Sequence, residues 1–290
     1  MPTVVIDGIA TRYEVIGSGP QLLMYAPGGF NAVAEAWSTL GIYQKIKLLD
    51  HLPAHFTCIL FDRRECGQSG GRVEPITWEH YVAQGKGLLE HLHIVRAHLM
   101  GGCMGCAPVV AFAVAHPETV ASMILYWPVG GAKYRISSHQ RFAEHIAFAQ
   151  ENGLDRVVTL VRTEGNPFGA DPRGGPWASV IKNDAAFAAA YMRQDLQRYV
   201  AICGAMRDAL FDRDTAPGAE PKQLMGRRHS GLHRAGTRCR ARDLGGALSR
   251  RMPAASALLG CRGRGANRRR DESVRARISA RREIITSQSR

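Results

Sequence analysis

Apolar and polar residues alternate from the start of the chain. Thr3 to Ile6 and Thr11 to Ile16 predict two strands, with Asp7-Gly8 as the hairpin turn between them. Gly17-Ser18-Gly19-Pro20 is a further turn. Gln21 to Ala26, Phe56 to Phe61 and Val120 to Tyr126 are short, nearly continuous apolar runs, the pattern of strands buried on both faces. Between them the period changes: Trp78 to Leu92 places Tyr81, Val82, Leu88, Leu89 and Leu92 at helical spacing. Strands alternating with helices predict an α/β fold with a mainly parallel sheet and helices on both faces. Further on, His139 to Gln150 and Ala185 to Leu210 are helical in period, separated by the Gly/Pro-rich stretch 165–176.

The sharpest change of pattern lies in residues 97–115. An apolar run ends at Met100, Gly101-Gly102-Cys103-Met104-Gly105 follows, and a long apolar segment runs on to His116-Pro117. This predicts a buried strand, a very tight turn and a buried helix. Gly101-x-Cys103-x-Gly105 is the pattern of a nucleophile elbow with cysteine in the place of serine. Cys103 then falls at a helix N-terminus, where the positive end of the dipole favours anionic sulfur. Cys103-x-x-Cys106 is also a CxxC, open to redox chemistry or to half a zinc site, and a structural turn with two buried thiols is the plain alternative. No second CxxC or Cys/His pair stands at ligand spacing, so neither a metal nor a cofactor is expected. A second loop, Pro27-Gly28-Gly29-Phe30-Asn31, follows the strand at 21–26. Backbone N–H groups exposed by such a glycine-rich loop hold an anion or a developing oxyanion.

Pro27-Gly28-Gly29, Asp62-Arg63-Arg64-x-x-Gly67-x-Ser69 and Gly101-x-Cys103-x-Gly105 come in an order that resembles the α/β-hydrolase fold superfamily, over roughly residues 3–130. The family usually has His-Gly in the first loop and serine at the elbow; a cysteine elbow is similar to that of dienelactone-hydrolase-like members. The resemblance implies an α/β-hydrolase core over 1–130 and a helical cap over 131–222. It also implies Cys103 as nucleophile, and an oxyanion hole formed by the N–H of Met104 with that of Gly29 or Phe30. Asp62 is expected to order Arg63 or Arg64 rather than to do chemistry. Phe142, Trp177 and Tyr191 are candidate pocket residues whose helical spacing equally fits core packing.

Composition changes this picture only at one end. The net charge is +13, but residues 226–290 hold 18 arginines, no lysine and four acidic residues, leaving 20 basic and 21 acidic residues in 1–225. The segment 223–290 shows neither the two further strands nor the acid and histidine that the resemblance calls for. Dense arginine binds phosphate, which opens a nucleic-acid-binding reading. Such arms usually mix lysine with arginine, and an out-of-frame read of a GC-rich gene accounts better for the composition. Shifted by one base, Arg227 to Arg238 can encode Val-Asp-Ile-Pro-Ala-Ser-Ile-Val-Pro-Gly-Arg-Asp, which resembles the family's next strand and its acid. Near Gly265-Ala266-Asn267 the shifted codons cannot encode histidine.

His98, within the elbow strand, is expected to pack, and His116 falls about 20 Å from Cys103 at the helical rise; His229 and His233 lie in the tail. The chain therefore has a nucleophile and an oxyanion hole without a recognisable base. Seven cysteines without framework spacing, no signal-like N-terminus and no run of eighteen apolar residues predict a cytoplasmic protein with no membrane partner. The expected activity is hydrolysis of small esters, lactones or thioesters, the partner being a small-molecule substrate. A non-catalytic small-molecule-binding member is the alternative. The sequence sets no oligomeric state.

Overall fold

The computed structural model describes residues 1–212. The expectations for the arginine-rich tail, for His229 and His233 and for the shifted reading frame lie outside the described residues.

β1 (Thr3–Ile6) and β2 (Ile9–Ile16) pair as the expected hairpin. Asp7 and Gly8 between them both take left-handed backbone, φ 51° and 68°, as a two-residue turn matched to strand twist requires. β3 (Gln21–Tyr25), β4 (Thr57–Phe61), β5 (Ala97–Gly102) and β6 (Val120–Tyr126) follow as read. Among the described residues the sheet runs β1-β2-β4-β3-β5-β6, with the first two strands antiparallel to their neighbours and the last four parallel.

The two-residue side-chain period sorts the apolar runs onto two faces. Leu23, Tyr25, Ile59, Phe61 and Leu99 point to one core, covered by α4 (Trp78–His91) and α5 (Cys106–Ala115). Leu22, Met24, Cys58, Leu60 and Met100 point to the other. That second core is closed by Trp37, Tyr43 and Leu48 of three short helices, α1 (Ala36–Thr39), α2 (Gly41–Ile46) and α3 (Leu48–His51). The chain leaving β3 thus crosses one face, and the chain leaving β5 the opposite one. Loops after these neighbouring strands part to opposite faces, the switch point at whose carboxyl ends open α/β sheets hold ligands.

Residues 132–211 are helical around one Gly/Pro-rich interruption. α6 (Ala132–Glu164) starts one turn or more before the expected His139 and is broken at Gly153, whose φ of 81° and ψ of 165° are not helical. α7 (Ala178–Asn183), α8 (Ala185–Met192) and α9 (Leu196–Phe211) complete the layer. The single helix expected over 185–210 is two. Asp184 accepts from the N–H groups of Ala186 and Phe187, and Asp195 from that of Arg198, so each carboxylate starts its own helix. Phe142, Trp177 and Tyr191 are all core residues, 0%, 0% and 1% exposed.

The helical layer meets the sheet at the loops beyond the strands. Phe30, just after β3, sets its ring edge-on to Phe142, Phe168 and Phe211, at 5.7, 5.4 and 6.2 Å. Beyond β4, the N–H of Gly67 donates to Ser179 Oγ, and Asn183 Nδ2 donates to the Gly67 carbonyl at 3.3 Å.

Candidate active site

The turn between β5 and α5 is where the sequence pattern concentrates the backbone strain. Cys103 has φ 52°, a region where an L side chain crowds the backbone and which clusters at functional sites. Its glycines answer to a different need. A Cβ on Gly101 would lie 2.4 Å from the Gly105 carbonyl oxygen, and one on Gly105 would lie 2.3 Å from that of Tyr25. A Cβ on Gly102 would meet Trp37 and the Tyr43 hydroxyl at 2.9 Å. Strand, turn and helix are thus pressed together, and Cys103 is held out at the bend. It is partly exposed, just past the carboxyl end of β5, which neighbours β3 in the sheet.

Cys103, Met104 and Gly105 form a single 3-10 turn running into α5. The first N–H groups of a helical segment have no acceptor within it, so this turn presents donors beside the sulfur. The loop after β3 presents more: Gly28 and Gly29 sit at φ 118° and 61°, and Gly29 to Asn31 make a second 3-10 turn packed against the first. The structure therefore brings Cys103, Met104, Gly29 and Phe30 into one neighbourhood.

The other described cysteines are different in kind. Cys58, Cys66, Cys106 and Cys203 are buried and unpaired. Burial pushes the thiol of Cys58 up to about 11 and those of Cys106 and Cys203 to about 12, and raises Cys66 as well. Cys106 spends its S–H on the carbonyl of Gly101 at 3.1 Å. That contact makes it a support of the turn.

Several neighbours of Cys103 were not singled out from the sequence. Tyr43 donates to the Tyr126 carbonyl at 3.2 Å; burial, then the adjacent Cys103 charge, raises its phenol. The phenol of Tyr134, on the first turn of α6, is pushed up to about 12 by burial and then by Cys103, with Arg63 acting in the opposite sense. Neither tyrosine lies in a motif, and only the fold brings them to the elbow.

Asp62 corrects the expectation. It does not order Arg63 or Arg64; it accepts from Arg12 at 3.0 Å and from the N–H groups of Ala34 and Gln68, both at 2.9 Å. It thereby ties β2, the loop after β3 and the loop after β4 together. Arg63 turns elsewhere. Its Nε donates to Glu65 Oε1 at 2.6 Å, and Tyr81 donates to the same oxygen at 2.9 Å. Its guanidinium lies 4.4 Å from the Tyr81 ring centre and 5.8 Å from that of Phe30, and one terminal nitrogen donates to the Gly29 carbonyl. The other terminal nitrogen and Glu65 Oε2 are buried without a partner, which costs about 1–3 kcal/mol for each such group.

His98, His116, His139 and His145 are occupied elsewhere. His98 bonds Ser122 Oγ at 2.8 Å and packs on Phe56, as expected. His116 caps the far end of α5, His139 bonds the Phe211 carbonyl, and His145 lies inside the helical layer on Tyr199. Among the described residues no cluster of three or more His, Cys, Asp or Glu side chains is placed to hold a metal. None of the described helices is long and apolar enough to cross a membrane.

Residues 22–158 match the sequence model of a family described as the alpha/beta hydrolase fold. The chain is 28% identical over 125 residues to the dihydrolipoyllysine-residue acetyltransferase component of the acetoin cleaving system of Cupriavidus necator, covering 43% of this chain and 31% of that protein. It is 49% identical over 45 residues to 2-hydroxy-6-oxo-6-phenylhexa-2,4-dienoate hydrolase of Comamonas testosteroni, covering 16% of each. The matches thus span less than a third of either curated relative. Among solved structures, an alpha/beta hydrolase enzyme from a Medee basin deep-sea metagenome library aligns with TM-score 0.48 and 15% identity, over 76% of this chain and 75% of that one.

Proposed function

Because the chain belongs, through residues 22–158, to the alpha/beta hydrolase fold family, we propose that it is an acyl hydrolase with Cys103 as nucleophile, acting on small esters, lactones or thioesters. The observation that carries this reading is the strained φ of Cys103 at a glycine-walled strand-to-helix turn beside the sheet's switch point. A structural thiol has no need of that backbone.

In this reading the Cys103 sulfur adds as thiolate to the substrate carbonyl, forming a C–S bond. The carbonyl oxygen takes up negative charge and is met by the N–H of Met104 and that of Gly29 or Phe30. Collapse breaks the bond to the leaving oxygen or sulfur, which departs with a proton. Water then cleaves the thioester, returning the acid and the free thiol. The described part of the cap expected over 131–222, residues 132–211, acts as the cap, with Tyr134 beside Cys103. The unpaired state of the five described cysteines fits a reducing compartment.

A non-catalytic, small-molecule-binding role is the second reading. It is favoured by one observation: His98, His139 and His145 all bond partners other than Cys103. The test is incubation of the full chain with p-nitrophenyl acetate, followed by mass mapping, with Cys103→Ala as control. Acyl adduct on Cys103 and turnover abolished in the variant support the enzyme. Turnover unchanged in Cys103→Ala, or an adduct on another residue, overturns it.

A further inference from the structure

We infer that Arg63 is a positioning residue of the oxyanion hole, acting on the loop after β3 through the Gly29 carbonyl; this rests on the reading of Cys103 as nucleophile. The two donors assigned to that loop flank the carbonyl that Arg63 holds. The N–H of Gly29 precedes it, and the N–H of Phe30 shares its peptide plane. That peptide is not cis, so its N–H points away from its C=O. An arginine drawing the carbonyl to one side therefore turns the Phe30 N–H to the other.

The loop needs such an anchor. Gly28 and Gly29 both have positive φ, and a Cβ on Gly29 would meet nothing within 4 Å. The Asn31 N–H donates to the Gly28 carbonyl at 3.0 Å and closes the turn around this peptide. Glycine nevertheless moves between backbone regions at little steric cost, so a hold on the Gly29 carbonyl itself adds to what the turn supplies. The anchor itself is rigid. Arg63 is 3% exposed, clamped between the Phe30 and Tyr81 rings. Its own N–H donates to the Ala32 carbonyl at 3.0 Å, and its carbonyl receives the Cys66 N–H at 2.8 Å.

Charge adds to position. The Glu65 carboxylate offsets the cost of burial and keeps the guanidinium charged. A cation on a peptide carbonyl draws electron density toward the oxygen, making the N–H of the same peptide a stronger donor to a developing oxyanion. The unpartnered terminal nitrogen of Arg63 and oxygen of Glu65 also tell against a purely structural role. A side chain placed for stability alone is better served by an apolar one of similar size.

The test compares two reactions of one thiol in the full chain. Acylation of Cys103 by p-nitrophenyl acetate builds an oxyanion, whereas alkylation by iodoacetamide is a displacement at saturated carbon and builds none. Arg63→Met is expected to slow acylation about 10- to 100-fold, short of the ~10²–10³ seen when a donor is deleted outright, with alkylation changed by no more than about twofold. Arg63→Lys, which keeps the charge, is expected to restore part of the acylation rate, and it carries the same test should the methionine variant not fold. Leu89→Ala, in the core away from the site, is expected to lower the melting temperature while leaving the ratio of the two rates as in the wild type. An unchanged ratio in both Arg63 variants, or equal loss of both rates, overturns the role of Arg63 alone. A wild-type Cys103 that is alkylated but never acylated overturns the nucleophile reading, and this inference with it.

Discussion

Lowering the pH is expected to loosen the helical layer through one histidine. His145 is fully buried, and its hydrogen bonds form a single directed chain. Its Nδ1–H donates to the Arg173 carbonyl at 3.0 Å, which leaves Nε2 to accept from the Tyr199 hydroxyl; Tyr199 in turn accepts from Tyr191. Both phenols are themselves held neutral by burial. A proton on Nε2 would require the Tyr199 hydroxyl, which also meets Cys203, to turn from donating to accepting. Burial accordingly lowers the imidazole from its usual 6.5 to about 4. The unfolded chain takes up a proton on this ring as pH falls through 6.5, and the folded chain does so only near 4. Stability is therefore lost with falling pH across that window. At about 1.4 kcal/mol per unit the full loss is about 3 kcal/mol, and about 2 kcal/mol of it is gone by pH 5. Urea unfolding at pH 7.5 and pH 5, followed by tryptophan fluorescence, reads it, since Trp177 lies 6.0 Å from Tyr199. His145→Gln starts lower, because it breaks the chain of bonds, but it should show a pH dependence shallower by about 2 kcal/mol. Equal pH dependence in the two proteins would refute the assignment.

Two further outcomes are expected. Gly105→Ala, with its Cβ against the carbonyls of Tyr25 and Ala26 at 2.3 and 2.8 Å, should cost about 3 kcal/mol by urea unfolding; a loss below about 1 kcal/mol would mean the elbow is not close-packed. A version of the gene with the reading frame restored after residue 226 should melt higher and hydrolyse short-chain aryl esters faster than the chain as written, and equal melts and turnover would establish the arginine-rich segment as genuine.

What could be read from the sequence was what is decided locally. Strand alternation at 3–16 and the apolar runs at 21–26 and 56–61 each depend on residues a few positions apart, and they match β1 to β4. The elbow was legible because close approach and strain must both be met within five residues, and Gly101, Cys103 and Gly105 show both needs at once. Asp62 was misread because its partner, Arg12, is 50 residues away on another strand. Arg63 stood in a quoted motif, but its hold on Gly29 spans 34 residues. Helices α1 to α3 carry too few turns to show a period. The division between α8 and α9 went unseen because an Asp cap at 195 looks, within an apolar-periodic run, like one more polar position.

The break at Gly153 makes the longest helix two levers instead of one rod. The arm before it, residues 132–152, is about 31 Å long, and the base after it about 16 Å. The base is packed through Val157, Val158 and Val161, while the arm carries Tyr134, Phe142 and His145. A load applied at Tyr134 therefore cannot be passed down a continuous hydrogen-bond ladder into the base. It is taken up by the arm's own attachments, among them the ring contacts of Phe142 on Phe30 and Phe168, the bond of His139 to the Phe211 carbonyl and the bonds of His145 to Arg173 and Tyr199. The compliance of the arm is set by those attachments, some of them polar, and only weakly by the rest of the helix that bears them.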